Sequence, residues 1–321
     1  MTSNLDSIEI IEVGPRDGLQ NIPEFVPTET KVALVRALIA SGFKRLEVGS
    51  FVSPKAIPQM RDMDDVARMI GPLPGVRGMV LVPNSKGARR AIAAGFSDLE
   101  LVISMSDAHN ISNVRRPTAD SIADLRVLLN EIDPARELTL RIGMATSFHC
   151  PFDGLMDETK VLSTLETLVG LREGMEFAIS DTTGMALPMH VKSLCRQAIA
   201  NFGGQATFAF HGHDTASFGV ANVLAATEAG IRIIDASVGG LGGCPYAPGA
   251  SGNISSEDLV YLFQRMGVQT GIDLEKLLLA GDIATALPGA VTGSHIRKMP
   301  RDRLTGITPD PVAVSRKALK C

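Results

Sequence analysis

The stretch FAISDTTGMALPMHVKSLCRQAIANFGGQATFAFHGHD, Phe177 to Asp214, decides the fold. It opens with a short apolar run, Phe177–Ile179, and turns polar at Ser180-Asp181-Thr182-Thr183-Gly184. An amphipathic segment follows, His190–Asn201, and then a second apolar run, Thr207–Phe210, ending in His211-Gly212-His213-Asp214. A strand, a helix and a strand in that order read as a βαβ unit with parallel strands. The alternation continues outward in both directions. Further strands are expected at Ile8–Val13, Leu46–Val48, Val76–Val82, Leu99–Ile103, Leu138–Ile142 and Ile231–Ala236. Between and beyond them lie helices at Glu29–Ser41, Met63–Ile70, Lys86–Ala94, Ser121–Asp133, Asp157–Leu171 and Phe218–Ala229. Ser41-Gly42, Ala94-Gly95 and Ala229-Gly230 are helix stops, where glycine takes the left-handed cap. Eight strands at roughly thirty-residue spacing predict an α/β fold of the closed (β/α)8 TIM-barrel type over an open doubly wound sheet. No dinucleotide fingerprint follows the first strand, which weighs against the open alternative.

Additional C-terminal helices are expected from about Ser255 onward, clearest at Val260–Met266 and Leu274–Ala286. Residues 1–286 read as one catalytic barrel with these helices included. Residues 287–321 read as a charged, Pro-containing C-terminal extension, expected to be poorly ordered.

Composition narrows the function. The chain has 321 residues, 45% of them apolar and 21% charged, which is globular and neither disordered nor fibrous. A net charge of −4, no Trp, and no basic block interleaved with aromatics argue against nucleic acid as a partner. No apolar run reaches the roughly 18 residues of a membrane span, and the first residues lack the pattern of a secretion signal. Four scattered cysteines, at 150, 195, 244 and 321, do not make a disulfide framework and fit a reducing cytoplasm.

A barrel puts chemistry at the C-terminal ends of its strands. The first strand ends in Gly14-Pro15-Arg16-Asp17-Gly18, the second at Glu47 with Gly49-Ser50 beyond, the sixth at Asp181, the seventh at His211-Gly212-His213. After the eighth comes a Gly-rich loop, Gly239 to Asn253, that contains Cys244. Strand side chains alternate, so His211 and His213 point the same way, with Gly212 leaving space between them. With Asp17 and an amide oxygen from Asn253 they form a mixed N/O set, suited to an octahedral Mg2+ or Mn2+ rather than a closed structural zinc. Each element also has a plainer reading. Arg16-Asp17-Gly18 reads equally as a turn in which Gly18 supplies a positive φ. Asn253 precedes a capping-box pattern and can shape the start of a helix. Glu47 can be a surface carboxylate, and Asp181 a turn former. Cys244, among glycines, gains little from packing and suits proton transfer. Cys195 falls on an amphipathic pattern and reads as a buried apolar side chain; Cys150 stays open, and Cys321 reads as a tail thiol.

These residues resemble the 3-hydroxy-3-methylglutaryl-CoA lyase family, within a metal-dependent barrel superfamily that also holds isopropylmalate, citramalate and homocitrate synthases. The resemblance runs from about Ile8 to Ala286. It is most specific in Glu12-Val13-Gly14-Pro15-Arg16-Asp17-Gly18-Leu19-Gln20-Asn21, in Ser50-Phe51-Val52-Ser53-Pro54-Lys55, and in the loop Gly239–Asn253, a lyase mark. It implies that Asp17, His211, His213 and Asn253 bind the divalent cation, with His211 also among the catalytic residues. It implies that Arg16 stabilises charge on the thioester oxygen, that Glu47 and Asp181 belong to the acid–base set, and that Cys244 closes over the site and supplies a proton. Arg16, Gln20 and Ser50 are the implied substrate-binding residues. The implied activity is cleavage of a 3-hydroxyacyl-CoA, hydroxymethylglutaryl-CoA-like, to acetyl-CoA and an oxo acid such as acetoacetate, in leucine degradation. A homo-oligomer, dimer or tetramer, is expected.

Several walls depart from the family pattern. Ala216-Ser217-Phe218 replaces Tyr-Gly-Gln, Gly212 stands where a cysteine is common, and Phe148-His149-Cys150-Pro151-Phe152 replaces Leu-Gly-Cys-Pro-Tyr. Ser106-Asp107-Ala108-His109 looks more like a synthase segment, and Arg115 and Arg116 near it are candidates for a carboxylate or CoA phosphate. Alternatives therefore stand beside the main reading: a lyase for a related thioester such as citramalyl-CoA, giving pyruvate, or an acetyl-CoA-condensing synthase. A non-catalytic metal-binding barrel is the third.

Overall fold

The computed structural model describes residues 5–131, 138–243 and 252–304. Its strands are β1 (Glu9–Glu12), β2 (Arg45–Ser50), β3 (Arg77–Leu81), β4 (Asp98–Ser104), β5 (Thr139–Ala145), β6 (Glu176–Asp181), β7 (Thr207–Gly212) and β8 (Ile233–Ala236). They close into one parallel barrel in which β1 pairs with β8 on one side and β2 on the other. The predicted TIM barrel is the observed fold. Around it run α1 (Thr28–Ala40), α2 (Met63–Ile70), α3 (Ser85–Ala93), α4 (Asp107–Val114), α5 (Thr118–Glu131), α6 (Glu158–Val169), α7 (Pro188–Phe202) and α8 (Gly219–Ala229). Two further helices, α9 (Ser256–Arg265) and α10 (Leu274–Thr285), follow β8. Gly42, Gly95 and Gly230 take φ of 112°, 94° and 114°, the helix stops expected of them. No helix among the described residues is long and apolar enough to cross a membrane.

Three local features escape the sequence pattern. Residues 107–114, outside the expected helices, form α4 although rich in Asn, Ser, Asp and His, residues of modest helix propensity. Its start is fixed by Ser106, whose side chain accepts the His109 N–H. His149–Cys150 and Gly154–Leu155 make a small antiparallel ladder after β5. Gly14–Gly18 is a π-helical turn, not a simple loop.

The outer faces of the strands and the inner faces of the helices share one large apolar core. The barrel lumen differs. A small separate cluster of Ile11, Val13 and Met79, with Ile233 against it, lies there. Beside it runs an ionic network. Arg45 on β2 reaches Glu176 on β6 at 2.7 Å and Asp98 on β4 at 2.9 Å. Arg141 on β5 reaches Asp235 on β8 at 2.5 Å and Glu176 at 3.1 Å. β2 and β6 are not neighbours in the barrel, nor are β5 and β8, so these pairs span the lumen. Both arginines are 0% exposed, and a buried charge left without its partner costs about 3–5 kcal/mol. Aliphatic layers commonly fill such barrels; here a salt-bridge lattice takes their place beneath the rim.

Candidate metal centre

The site is assembled from the first, seventh and eighth βα turns. After β1 the chain tightens because the N–H groups of Arg16, Asp17 and Gly18 all point to the Val13 carbonyl, at 3.1, 2.8 and 3.4 Å. Gly18 has no left-handed backbone, contrary to the turn reading. It is needed for space, since a Cβ there would lie 2.9 Å from Leu241 Cβ and 3.1 Å from Ser237 Oγ. Glu12, fully buried, clamps the first and last turns together. Its Oε1 accepts the Gly14 and Val238 N–H groups at 2.8 Å each, and its Oε2 accepts the Ser256 hydroxyl at 2.6 Å. Burial pushes its carboxyl up to about 8, further than those three donors pull it down.

At the end of β7, His211 and His213 do project the same way, their Nε2 atoms 3.3 Å apart. Gly212 does not make room between them. A Cβ there would lie 2.7 Å from Phe210 Cε1 and 2.8 Å from Ile254 Cδ1, so its absence lets the outer face pack. Asn253 bridges to His213 along the backbone. Its Nδ2 donates to Asp17 Oδ2 at 2.7 Å and to the Leu241 carbonyl at 3.1 Å. Capping of α9 falls instead to Ser255, which accepts the Asp258 N–H.

Ligand atoms of Asp17, His211 and His213 lie within 4.8 Å of one another. The two faces of the Asp17 carboxylate are divided. Oδ1 takes Arg16 Nη1 at 2.6 Å and Gln20 Nε2 at 2.7 Å, while Oδ2 faces Asn253 and His213 Nε2, the latter at 3.8 Å. Asn253 Oδ1 and His213 Nδ1 are buried with no hydrogen-bond partner among the described residues. Two imidazole nitrogens facing each other, a carboxylate oxygen and an orphaned amide oxygen make a donor set that a divalent cation satisfies. The set holds nitrogen and oxygen donors and no sulfur.

Charge is arranged around this set. Arg16 Nε binds Glu47 Oε2 at 2.6 Å, so one guanidinium joins Asp17 to Glu47. Burial alone would raise Asp17, but Arg16 and the imidazoles outweigh it and hold the carboxyl well below the usual range. Glu47 goes the other way. It is fully buried rather than a surface carboxylate, and burial, aided by neighbouring Glu100, lifts it well above the ordinary value despite Arg16. Its Oε1 has no partner among the described residues. Asp181 is also raised by burial, while accepting the Met185 and Ala186 N–H groups at 3.1 Å each. Asp181 thus shapes its turn and stands in the field of His213. Ser50 Oγ is buried and unpartnered among the described residues.

Cys244 and Cys321 lie outside the described residues. Cys195 is buried in α7, as its pattern implied, and burial raises its thiol. Cys150 is buried, its thiol donating to Ser106 Oγ at 3.1 Å. Arg116 is bound to Ser121 Oγ and Asp124, and Arg115 ends α4 in the left-handed region. Sequence reasoning missed Glu12, Glu100, Arg141 and Asp235. Their signal was present: charged residues inside apolar strand runs, with Glu100, Arg141 and Asp235 at the parity that faces the lumen.

The HMGL-like family model matches residues 7–283. The chain is 42% identical to an (R)-citramalyl-CoA lyase of Chloroflexus aurantiacus, over 89% of this chain and 92% of that one. It is 39% identical to a hydroxymethylglutaryl-CoA lyase of Bacillus subtilis, over 85% and 90%. Among solved structures, an HMG-CoA lyase from Acinetobacter baumannii in complex with coenzyme A and 3-methylmalate superposes with TM-score 0.86 at 40% identity, covering 97% of this chain and 100% of that one.

Proposed function

The chain belongs to the HMGL-like family, and on that premise we propose that it is a carbon–carbon lyase that cleaves a 3-hydroxyacyl-CoA to acetyl-CoA and an oxo acid. The observation that carries the reading is the convergence of Asp17, His211 and His213 within one coordination sphere, with Arg16 bound to Asp17 and Glu47 beside it. The proposed substrate is hydroxymethylglutaryl-CoA or a close analogue, giving acetoacetate. A second substrate, citramalyl-CoA giving pyruvate, is favoured by the 42% identity to a lyase of that name.

Asp17, His211, His213 and Asn253 would hold the cation, Mg2+ or Mn2+. Bound there, it supplies Lewis-acid polarisation of the substrate hydroxyl. The protein's own residues do the rest. The C3 hydroxyl must give up its proton as the C2–C3 bond breaks and C3 becomes a carbonyl. Glu47 and Asp181, both raised by burial, are the carboxylates fitted to accept that proton. The bonding pair passes to C2 and delocalises onto the thioester oxygen. Arg16, fixed on two carboxylates, meets the charge that grows there in the transition state. Protonation of C2, assigned to Cys244 through the family resemblance, then yields acetyl-CoA. Gln20 and Ser50 are assigned to substrate contact. The reading extends to a homo-oligomer in a reducing, cytoplasmic setting, supported by cysteine usage.

The test is a set of 3-hydroxyacyl-CoA thioesters, hydroxymethylglutaryl-CoA and citramalyl-CoA among them, assayed for acetyl-CoA release with Mg2+ or Mn2+ and after chelation. Metal-dependent release from at least one supports the lyase. No release from any, with CoA liberated from acetyl-CoA plus a 2-oxo acid, would assign a synthase instead.

A further inference from the structure

We propose that Asp235, seated by the ionic lattice of the lumen, is the positioning residue that makes His211 a metal ligand. Asp235 lies on β8, one strand from His211 on β7, and is 2% exposed. Its Oδ2 meets His211 Nδ1 at 3.0 Å and Arg141 Nη2 at 2.5 Å. A carboxylate only accepts, so the ring must donate from Nδ1, and a neutral imidazole then carries its lone pair on Nε2. That is the nitrogen facing His213 Nε2. Without Asp235 the ring is free to place its proton on Nε2, where it would block coordination, and to rotate about its bonds.

The carboxylate is itself held. Arg141 runs on to Glu176 at 3.1 Å, Glu176 to Arg45 at 2.7 Å, and Arg45 to Asp98 at 2.9 Å. This chain of alternating charges crosses the lumen from β4 to β8 and ends on the ring of His211. Ligand histidines are commonly oriented by a carboxylate behind them, and loss of that partner weakens metal binding about ten- to hundredfold. The lattice that replaces an aliphatic barrel core thus has a purpose beyond filling space: it fixes one ligand's tautomer and aim. This inference rests on the reading of His211 as a ligand, and the experiment separates the two.

Mn2+ binding is measured by calorimetry on wild type, Asp235→Ala, Asp235→Asn and His211→Ala, with melting temperature alongside. Asp235→Ala is expected to weaken Mn2+ by about ten- to hundredfold. Asp235→Asn is expected to recover most of it, because the amide oxygen can replace Oδ2 while the NH2 takes the place of Oδ1, which has no partner among the described residues. Wild-type affinity in a folded Asp235→Ala would overturn the inference. Wild-type affinity in His211→Ala would remove the ligand reading itself. The nitrogen NMR spectrum of the metal-free wild type needs no variant. An unprotonated Nε2 on neutral His211 supports the assignment, and a protonated one overturns it.

Discussion

Asn253 donates from Nδ2 to Asp17 Oδ2 at 2.7 Å, across 236 positions of chain. Closure of the barrel makes this contact, since β1 pairs with β8 and brings the first and last turns side by side. The same amide leaves its own oxygen buried and unpartnered among the described residues, and the Asp17 carboxylate turns that same Oδ2 toward His213. Three groups from three turns therefore share one small volume, and the consequences can be measured.

His213→Ala should lose bound metal and activity together while the barrel still folds. The residue stands at the rim, past the last residue of β7, and the apolar core does not include it. Metal content by elemental analysis and the circular dichroism melt check this. Stoichiometric metal with full turnover would contradict it.

Arg16→Gln should lower kcat about 10²–10³-fold, the loss typical of removing one preorganised donor to a developing oxyanion. Substrate binding should change less, because the interaction grows with the transition state. Steady-state kinetics at saturating Mn2+ decide it. An equal rise in KM with unchanged kcat would assign Arg16 to ground-state binding only.

Much of this was legible in the order of residues. Eight apolar runs, with glycine stops behind several helices, sufficed for the barrel. The His-x-His parity sufficed to aim two imidazoles at one point. The lumen was not legible in the same way. Arg141, Glu176 and Asp235 each sit between apolar residues and Arg45 follows Lys44 at the start of its strand, and only the closed topology shows that β2 meets β6 and β5 meets β8 across the axis. Glycines were misread for a related reason. Gly18 and Gly212 are small because of neighbours distant in sequence, Leu241 and Ile254, and not because of their own backbone angles. Similarly, the start of α4 is set by a single Ser106 cap, which outweighs the poor propensity of the residues behind it.

Cys244→Ala should lower kcat far more than it weakens Mn2+, as a proton donor would and a ligand would not. Parallel turnover and metal-titration curves test the split. Falls of equal size would place the thiol in the metal's own coordination set.

Glu12 gives a stability prediction with a definite sign. Its carboxyl sits at about 8 in the fold against 4.5 as a reference, so between those limits the native state binds more protons than the unfolded one. Stability from this group therefore falls as pH rises through that window, and its full cost is present above it. Glu12→Gln copies the protonated form: its Oε1 still accepts the Gly14 and Val238 N–H groups, and its NH2 can donate to the Ser256 Oγ that now donates to Oε2. The variant should melt higher than wild type on the alkaline side of 8, with the gap narrowing as pH falls. A gap independent of pH, or one that widens in acid, would contradict the account.

The central claim is that side chains from three separate turns hold one cation. Anomalous diffraction from crystals grown with Mn2+ tests it most directly. The account expects one strong peak within coordination distance of an Asp17 carboxylate oxygen and the Nε2 atoms of His211 and His213. A fully occupied Mn2+ elsewhere on the chain, with no density between those three residues, would contradict it.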